Sequence, residues 1–358
     1  MSKANLVLED GTVFSGRALG SLGKAQGEIV FNTSMVGYQE ILTDPSYAGE
    51  IINFTYPLLG NYGTNNTDWE SKKVFARGII VKEGCADPSS WRADQDLQKF
   101  LTENELIGLA GIDTRAVTKH LRTRGTMAGI ICNDGTDVEE LLKLVKQVPA
   151  LSGQKLIKEV STPFPYILPG GPQRVVVMDF GVKNNSLRKL QRRGCTVIVV
   201  PADMTAPEIL KHKPDGILLS NGPGDPQDVP WAVETIKELI TRKLPIFGIC
   251  MGHQLLGLAL GGETYKLKFG HRGGNHPVKD LRTGKVYITS QNHGFAVNPA
   301  SLNQDVEITH MNLNDNTVEG LRHKSLPLAS VQYHPEAAPG PQDSAYLFEE
   351  FLAKLMSK

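Results

Sequence analysis

Ile246-Phe247-Gly248-Ile249-Cys250-Met251-Gly252-His253-Gln254 is the stretch whose reading decides the fold. Its apolar opening has no polar alternation and reads as a short strand buried on both faces. Leu255 to Leu260 then reads as a helix, ended by Gly261-Gly262. Cys250 therefore falls where a strand turns sharply into a helix. Gly248 and Gly252 are small enough on either side to let the chain turn, so the side chain between them is held up at the sheet edge, here with sulfur at its tip. The helix N-terminus favours a thiolate, and the backbone N–H of Met251 is available to a developing oxyanion. A buried structural cysteine after a core strand fits the same residues, so the elbow needs partners before it means chemistry.

Working outward, apolar runs alternate with helical segments. Val175-Val176-Val177-Met178, Val197-Ile198-Val199-Val200 and Gly216-Ile217-Leu218-Leu219 read as strands. Helices are expected at about 184–193 and 230–242, the second with Val233, Ile236 and Ile240 on one face, and a last one from about Asp343. This alternation predicts an α/β fold: an open, mostly parallel sheet with helices on both faces. The first third mixes short strands and helices and predicts a separate mixed α/β domain. Leu6-Val7-Leu8, Asp10-Gly11 and Thr12-Val13-Phe14 read as a hairpin. Ile29 to Phe31, Ile79 to Val81 and Met127 to Cys132 read as strands, and Asp137 to about Val148 as a helix. Asp113 is placed to cap a helix running to about Arg124, with Gly125 as its stop. Pro163, Pro165, Pro169 and Pro172 punctuate a stretch without periodicity. The expected organisation is a domain over 1–150, a connection over 151–172 and a second domain over 173–358.

Two further segments lie where that sheet would bring them to the elbow. Leu328 to Glu336 reads as a strand ending in His334-Pro335-Glu336. His334 can act as a base towards the thiol while Glu336 orients the imidazole, a nucleophile–base–orienter set in the order Cys, His, Glu. Ser220-Asn221-Gly222-Pro223-Gly224-Asp225-Pro226 follows the third apolar run. Its glycines let backbone approach a ligand, and the carboxyl ends of parallel strands are where such sheets bind ligands. His253 reads as a packed structural histidine. His271, His276 and His293 have no helix-face or finger spacing, so no metal site is expected. The basic stretch Lys266 to Lys285 reads as a solvated loop, with docking of a partner as the sharper reading.

Composition sets bounds on all of this. The chain has 358 residues with 38 Lys+Arg against 38 Asp+Glu, and a zero net charge gives no broad field for nucleic acid or an anionic membrane. No apolar run is long enough to span a bilayer, and Met1 to Asn5 does not read as a secretory signal. Four cysteines far apart offer neither a CxxC pair nor a disulfide framework, so a cytoplasmic setting is expected. No GxxxxGK[ST] phosphate loop is present, so ATP chemistry is not expected in this chain.

The three segments at 220–226, 247–254 and 333–337 resemble the triad-type (class I) glutamine amidotransferases. The resemblance extends to Phe269–Val278 and Ser290–Phe295, and to Val30–Met35, Gly37–Tyr47 and Gly111–Arg115 in the first half. Those stretches are similar to the glutamine-hydrolysing small subunits of carbamoyl-phosphate synthetases. What the resemblance implies is a glutaminase working through a cysteine thioester, with Cys250, His334 and Glu336 as its triad. It implies L-glutamine held by Ser46, Gly222, Gly224, Met251, Gln254, Asn292, Gly294 and Phe295, and an oxyanion hole from the N–H groups of Gly222 and Met251. It further implies no cofactor in this chain. A large synthetase subunit would be its partner in a heterodimer or a higher oligomer of heterodimers. That subunit would use ATP, magnesium and bicarbonate to make carbamoyl phosphate for arginine and pyrimidine synthesis. Competing readings are an amidotransferase of another pathway, a non-catalytic docking subunit that keeps the fold, and a cysteine peptidase on a similar sheet. The first-half motifs argue against the first, and the complete Cys250–His334–Glu336 set argues against the second. The third predicts peptide rather than free-glutamine turnover.

Overall fold

The computed structural model describes residues 3–356; Met1 and Ser2, part of the N-terminal reading above, lie outside the described residues. The chain forms two compact units that divide between Gln154 and Lys155.

In the first unit seven strands close into a barrel. Around it run Lys3–Leu8, Val13–Gly20, Ile107–Ala110, Gly78–Ile80, Glu50–Phe54, Lys24–Asn32 and Met127–Cys132, the last pairing back onto the first. The expected hairpin is present, with Leu6 opposite Phe14 and Val7 opposite Val13. Gly11 at its turn has φ +88°, a conformation that costs glycine nothing. Asp113 caps Thr114–Arg124 by accepting from the Ala116 N–H. The helix expected from Asp137 covers Val138–Leu144 and then tightens into a 3-10 turn. Barrel closure was not visible in the sequence, because it depends on antiparallel pairing of Met127–Cys132 with both Lys3–Leu8 and Lys24–Asn32.

The second unit is built on a ten-stranded sheet. Its centre is parallel, in the order Cys195–Pro201, Gln173–Asp179, Gly216–Leu219, Ile246–Ile249, Leu328–Val331. Both faces of these strands are apolar, as a doubly covered sheet requires. Val176, Met178, Ile198, Ile217 and Leu219 pack with Ala232, Ile236 and Leu239 of the helix Pro230–Thr241. Val175, Val177, Val199, Leu218 and Phe247 pack on the other face with Leu190, Phe348, Phe351 and Leu355. Each Val, Leu, Ile, Met or Phe among them, fully buried, contributes about 1.5–3 kcal/mol.

Beyond the centre the sheet is antiparallel, so the expectation of a mostly parallel sheet is corrected to a mixed one. Val318–His323, Val306–Asn312, Thr264–Asp280 and Val286–Val297 extend it on one side, and Tyr166–Leu168 edges it on the other. The basic stretch read as a loop at 266–285 is instead a long strand to Asp280 followed by a short turn. Its glycines and lysines hide a strand whose partner, Val286–Val297, supplies the pairing. Within the stretch read as a connection, Ile157–Val160 forms a helical turn and Tyr166–Leu168 the edge strand. Among the described residues no helix is long and apolar enough to cross a membrane.

Candidate active site

Cys250 sits between the strand Ile246–Ile249 and the helix Met251–Ala259, at φ 52° and ψ −104°. A non-glycine residue held there is strained by about 1–3 kcal/mol, and the surroundings explain why it persists. Its N–H donates to the Val331 carbonyl (2.9 Å), and its own carbonyl accepts from His253 and Gln254. The Gly252 N–H donates to the Ser220 carbonyl. Both flanking glycines are required. A Cβ on Gly252 would lie 2.2 Å from the Leu219 carbonyl oxygen, and one on Gly248 would lie 2.5 Å from that of Gly252. The thiol is buried and donates to the Asn292 carbonyl at 3.4 Å.

His334 and Glu336 follow the neighbouring strand Leu328–Val331, which runs parallel to Ile246–Ile249. His334 Nδ1 donates to Glu336 Oε1 at 2.6 Å, and both side chains are buried. A carboxylate accepts only, so this bond leaves Nε2 of a neutral His334 as the basic nitrogen. Among the described residues that Nε2, which is buried, has no hydrogen-bond partner. Burial opposes a charge on His334, but the Glu336 carboxylate and the Cys250 sulfur outweigh it and push its pKa up to about 10. Burial likewise opposes charge on Glu336. Lys183 and His334 outweigh that and hold the carboxyl down at about 2.

Lys183 was not singled out from the sequence. It follows the first central strand, lies buried, and sets its Nζ 3.2 Å from Glu336 Oε1 while also donating to the Ala337 carbonyl. A lysine after a strand end reads as solvated surface; the only hint was its place at the carboxyl end of that strand. Lys183 thus supplies the cation that offsets the buried Glu336 carboxylate.

The residues expected to hold a ligand fall on three segments. Gln254, Asn292, Gly294 and Phe295 come together around the elbow. The Gln254 amide donates to the Phe295 carbonyl (2.8 Å) and to Gln332 Oε1 (3.1 Å), and the Asn292 carbonyl takes the thiol. Met251 opens the elbow helix, so its N–H has no intrahelical acceptor. The Ser220–Pro226 loop is tied to the residues after the first central strand: Phe180 N–H donates to Ser220 Oγ, and Asn221 Nδ2 donates to the Gly181 carbonyl. Gly222 has no room for a side chain, since its Cβ would lie 2.2 Å from the Phe180 carbonyl oxygen, and Gly224 has φ +85°. Ser46 belongs to the first unit, on a buried 3-10 turn where its N–H donates to Asp44 Oδ1. His253, fully buried and bonded to Ser330 Oγ at 2.9 Å, is held neutral by burial and the nearby His310, consistent with its packed-histidine reading.

Residues 176–354 match the family described as glutamine amidotransferase class-I, and residues 6–131 match the carbamoyl-phosphate synthase small chain, CPSase domain. The chain is 53% identical over 371 residues to the carbamoyl phosphate synthase small chain of Syntrophotalea carbinolica, covering 99% of this chain and 98% of that one. The chain belongs to the carbamoyl phosphate synthase small-chain family. The small chain of Bacillus cereus is 55% identical, over 99% of this chain and 96% of its own. The pyrimidine-specific small chain of Bacillus subtilis is 53% identical, over 98% and 95%. Both domains of the family are therefore present here, including the glutamine amidotransferase domain that contains Cys250, His334 and Glu336.

Proposed function

We propose that this chain hydrolyses L-glutamine through a Cys250 thioester and hands the ammonia to a large synthetase subunit. The observation that carries the reading is the buried His334–Glu336 bond beside the Cys250 elbow, with His334 Nε2 left without another partner. His334 takes the thiol proton on Nε2, and the sulfur attacks the side-chain amide carbon of glutamine. The oxyanion that forms is met by the N–H groups of Met251 and Gly222. His334 returns the proton to the leaving nitrogen, releasing ammonia and a glutamyl thioester. Water, deprotonated by the same ring, then cleaves the thioester to glutamate and regenerates the thiol. Glu336 holds the ring and stabilises its cation throughout.

Gln254, Asn292, Gly294, Phe295, Gly224 and Ser46 are assigned to glutamine binding by this reading. The large subunit, with ATP, magnesium and bicarbonate, would complete carbamoyl phosphate for arginine and pyrimidine synthesis in the cytoplasm. The test is covalent labelling with a glutamine-mimicking chloroketone. The label should land on Cys250, be blocked by free glutamine, and abolish glutamine-dependent but not ammonia-dependent synthesis in the complex. Label that glutamine does not block would overturn the assignment.

A further inference from the structure

Beside the proposed site, a second group of buried titratable side chains converges. His271 and His293 lie directly opposite each other across the hairpin of Thr264–Asp280 and Val286–Val297, and Glu319 reaches them from Val318–His323. His271 Nδ1 is 3.2 Å from His293 Nε2 and 3.7 Å from Glu319 Oε1, and one ligand atom of each residue lies within 4.8 Å of the others. The outward atoms of both rings are committed to acceptors. His271 Nε2 donates to Asp315 Oδ2 (2.8 Å), and His293 Nδ1 donates to the Phe295 carbonyl (2.8 Å). Each neutral ring therefore turns a lone pair inward. Gln291 adds another. Its Nε2 donates to Thr289 Oγ1 (3.1 Å), whose own proton goes to the His276 carbonyl, so Gln291 Oε1 faces His293 Nε2 at 3.0 Å.

Two ring nitrogens, an amide oxygen and a carboxylate thus meet; Asn312 Nδ2 donates to Glu319 Oε1 (2.8 Å), but with both rings neutral the two ring lone pairs and the Gln291 oxygen face one another, an arrangement that favours a positive centre. A single proton on either ring bridges one contact and leaves the rest. Among the described residues Glu319 Oε2 stays buried with no partner, as does Nδ1 of His276, whose ring lies 5.2 Å from that of His271. We propose that His271, His293 and Glu319, completed by Gln291, bind a divalent transition metal of the zinc class. Two imidazoles and a carboxylate are a zinc ligand set, and rings braced from behind by a carboxylate and a carbonyl have the outer shell such sites use. The metal ties three strands together. It also braces His293, between Asn292 and Gly294, and through it the Phe295 carbonyl that receives Gln254. Its role is therefore to hold the pocket strand, not to act on substrate.

The experiment uses the full chain carrying Cys85→Ser and Cys250→Ser, which removes thiols that would compete for metal. After loading with Zn2+ and desalting, metal analysis should find one zinc per chain. Co2+ should give a visible absorption band that Zn2+ abolishes. Glu319→Gln should weaken Zn2+ binding by at least about 100-fold, the upper end of what even outer-shell changes cost, and Asp315→Asn by about 10- to 100-fold. Zn2+ should raise the melting temperature of the parent but not of Glu319→Gln, as a ligand that binds only the folded chain requires. His271→Asn should behave like Glu319→Gln; if it does not fold, Glu319→Gln, which keeps size and shape, decides the matter. A chain that takes up no Zn2+ at millimolar concentration would overturn the proposal and leave a shared proton as the cation. Equal Zn2+ affinity in the parent and Glu319→Gln would overturn it too.

Discussion

Lys183 Nζ lies 3.2 Å from Glu336 Oε1, and the two side chains are 2% and 0% exposed. Glu336 in turn holds His334 at 2.6 Å, so the ion pair supports the ring proposed to act on Cys250. Removing one partner of such a pair leaves a buried charge and costs about 3–5 kcal/mol, whereas removing both costs far less than the sum. Lys183→Met should therefore destabilise the chain and lower glutamine turnover, with Glu336 now reluctant to ionise. Denaturant titration of Lys183→Met, Glu336→Gln and the double variant provides the check. Purely additive losses would contradict the coupling.

Cys250→Ser should abolish glutamine hydrolysis and leave ammonia-dependent synthesis in the complex intact, because the hydroxyl is far less acidic than a thiol. The backbone makes a second, independent forecast. Cys250 has φ 52°, where alanine is strained and glycine is not. Cys250→Gly should thus be more stable than Cys250→Ala by about 1 kcal/mol. A melting temperature for the glycine variant below that of alanine would show that the elbow carries no strain.

The elbow was legible because local features specify it: an apolar run, then a side chain between two glycines that have no room for a Cβ. His334 and Glu336 were legible for a related reason, since they follow a strand that had to lie beside the elbow. Lys183 was not, because its burial is a tertiary fact and a lysine after a strand is usually solvated. The group at His271, His293 and Glu319 was missed for the same cause. Its histidines are neighbours only once Thr264–Asp280 is known to be a strand, and its carboxylate arrives from a different hairpin. Sequence spacing along one element cannot reveal ligands contributed by three.

Glutamine hydrolysis by the isolated chain should be slower than in the complex with the large subunit, and fastest with ATP and bicarbonate present. Ammonia released without a consumer wastes glutamine, and a displacement near 1 Å in a site of this kind costs roughly 10²-fold. The Ser220–Pro226 loop is a candidate for that adjustment, since Gly224 has φ +85° and the loop is anchored mainly through Ser220 and Asn221. Steady-state glutamate release under the three conditions provides the measurement. Equal rates in all three would rule the coupling out.

The pH dependence of stability follows from the His334–Glu336 pair with its signs worked through. The pKa of His334 is raised to about 10 in the folded chain, against about 6.5 unfolded. Its contribution is complete below pH about 6.5 and is lost as pH rises through about 10. Glu336 is depressed to about 2, against about 4.3 unfolded, so its contribution is present above pH about 4.3 and is lost as pH falls towards 2. The pair therefore stabilises most between roughly pH 4.3 and 6.5. Replacing the ring by His334→Gln removes its alkaline dependence while the other groups of the chain titrate as before. Melting temperatures of the parent chain should consequently fall more steeply between pH 6.5 and 10 than those of His334→Gln, because the parent loses, in addition to what both chains lose, the His334 proton that its folded state binds more tightly. Calorimetric melts of both chains across this range measure the difference directly. Parallel curves would mean that His334 is not held as a cation in the folded protein, and the ion-pair reading of the site would fail with it.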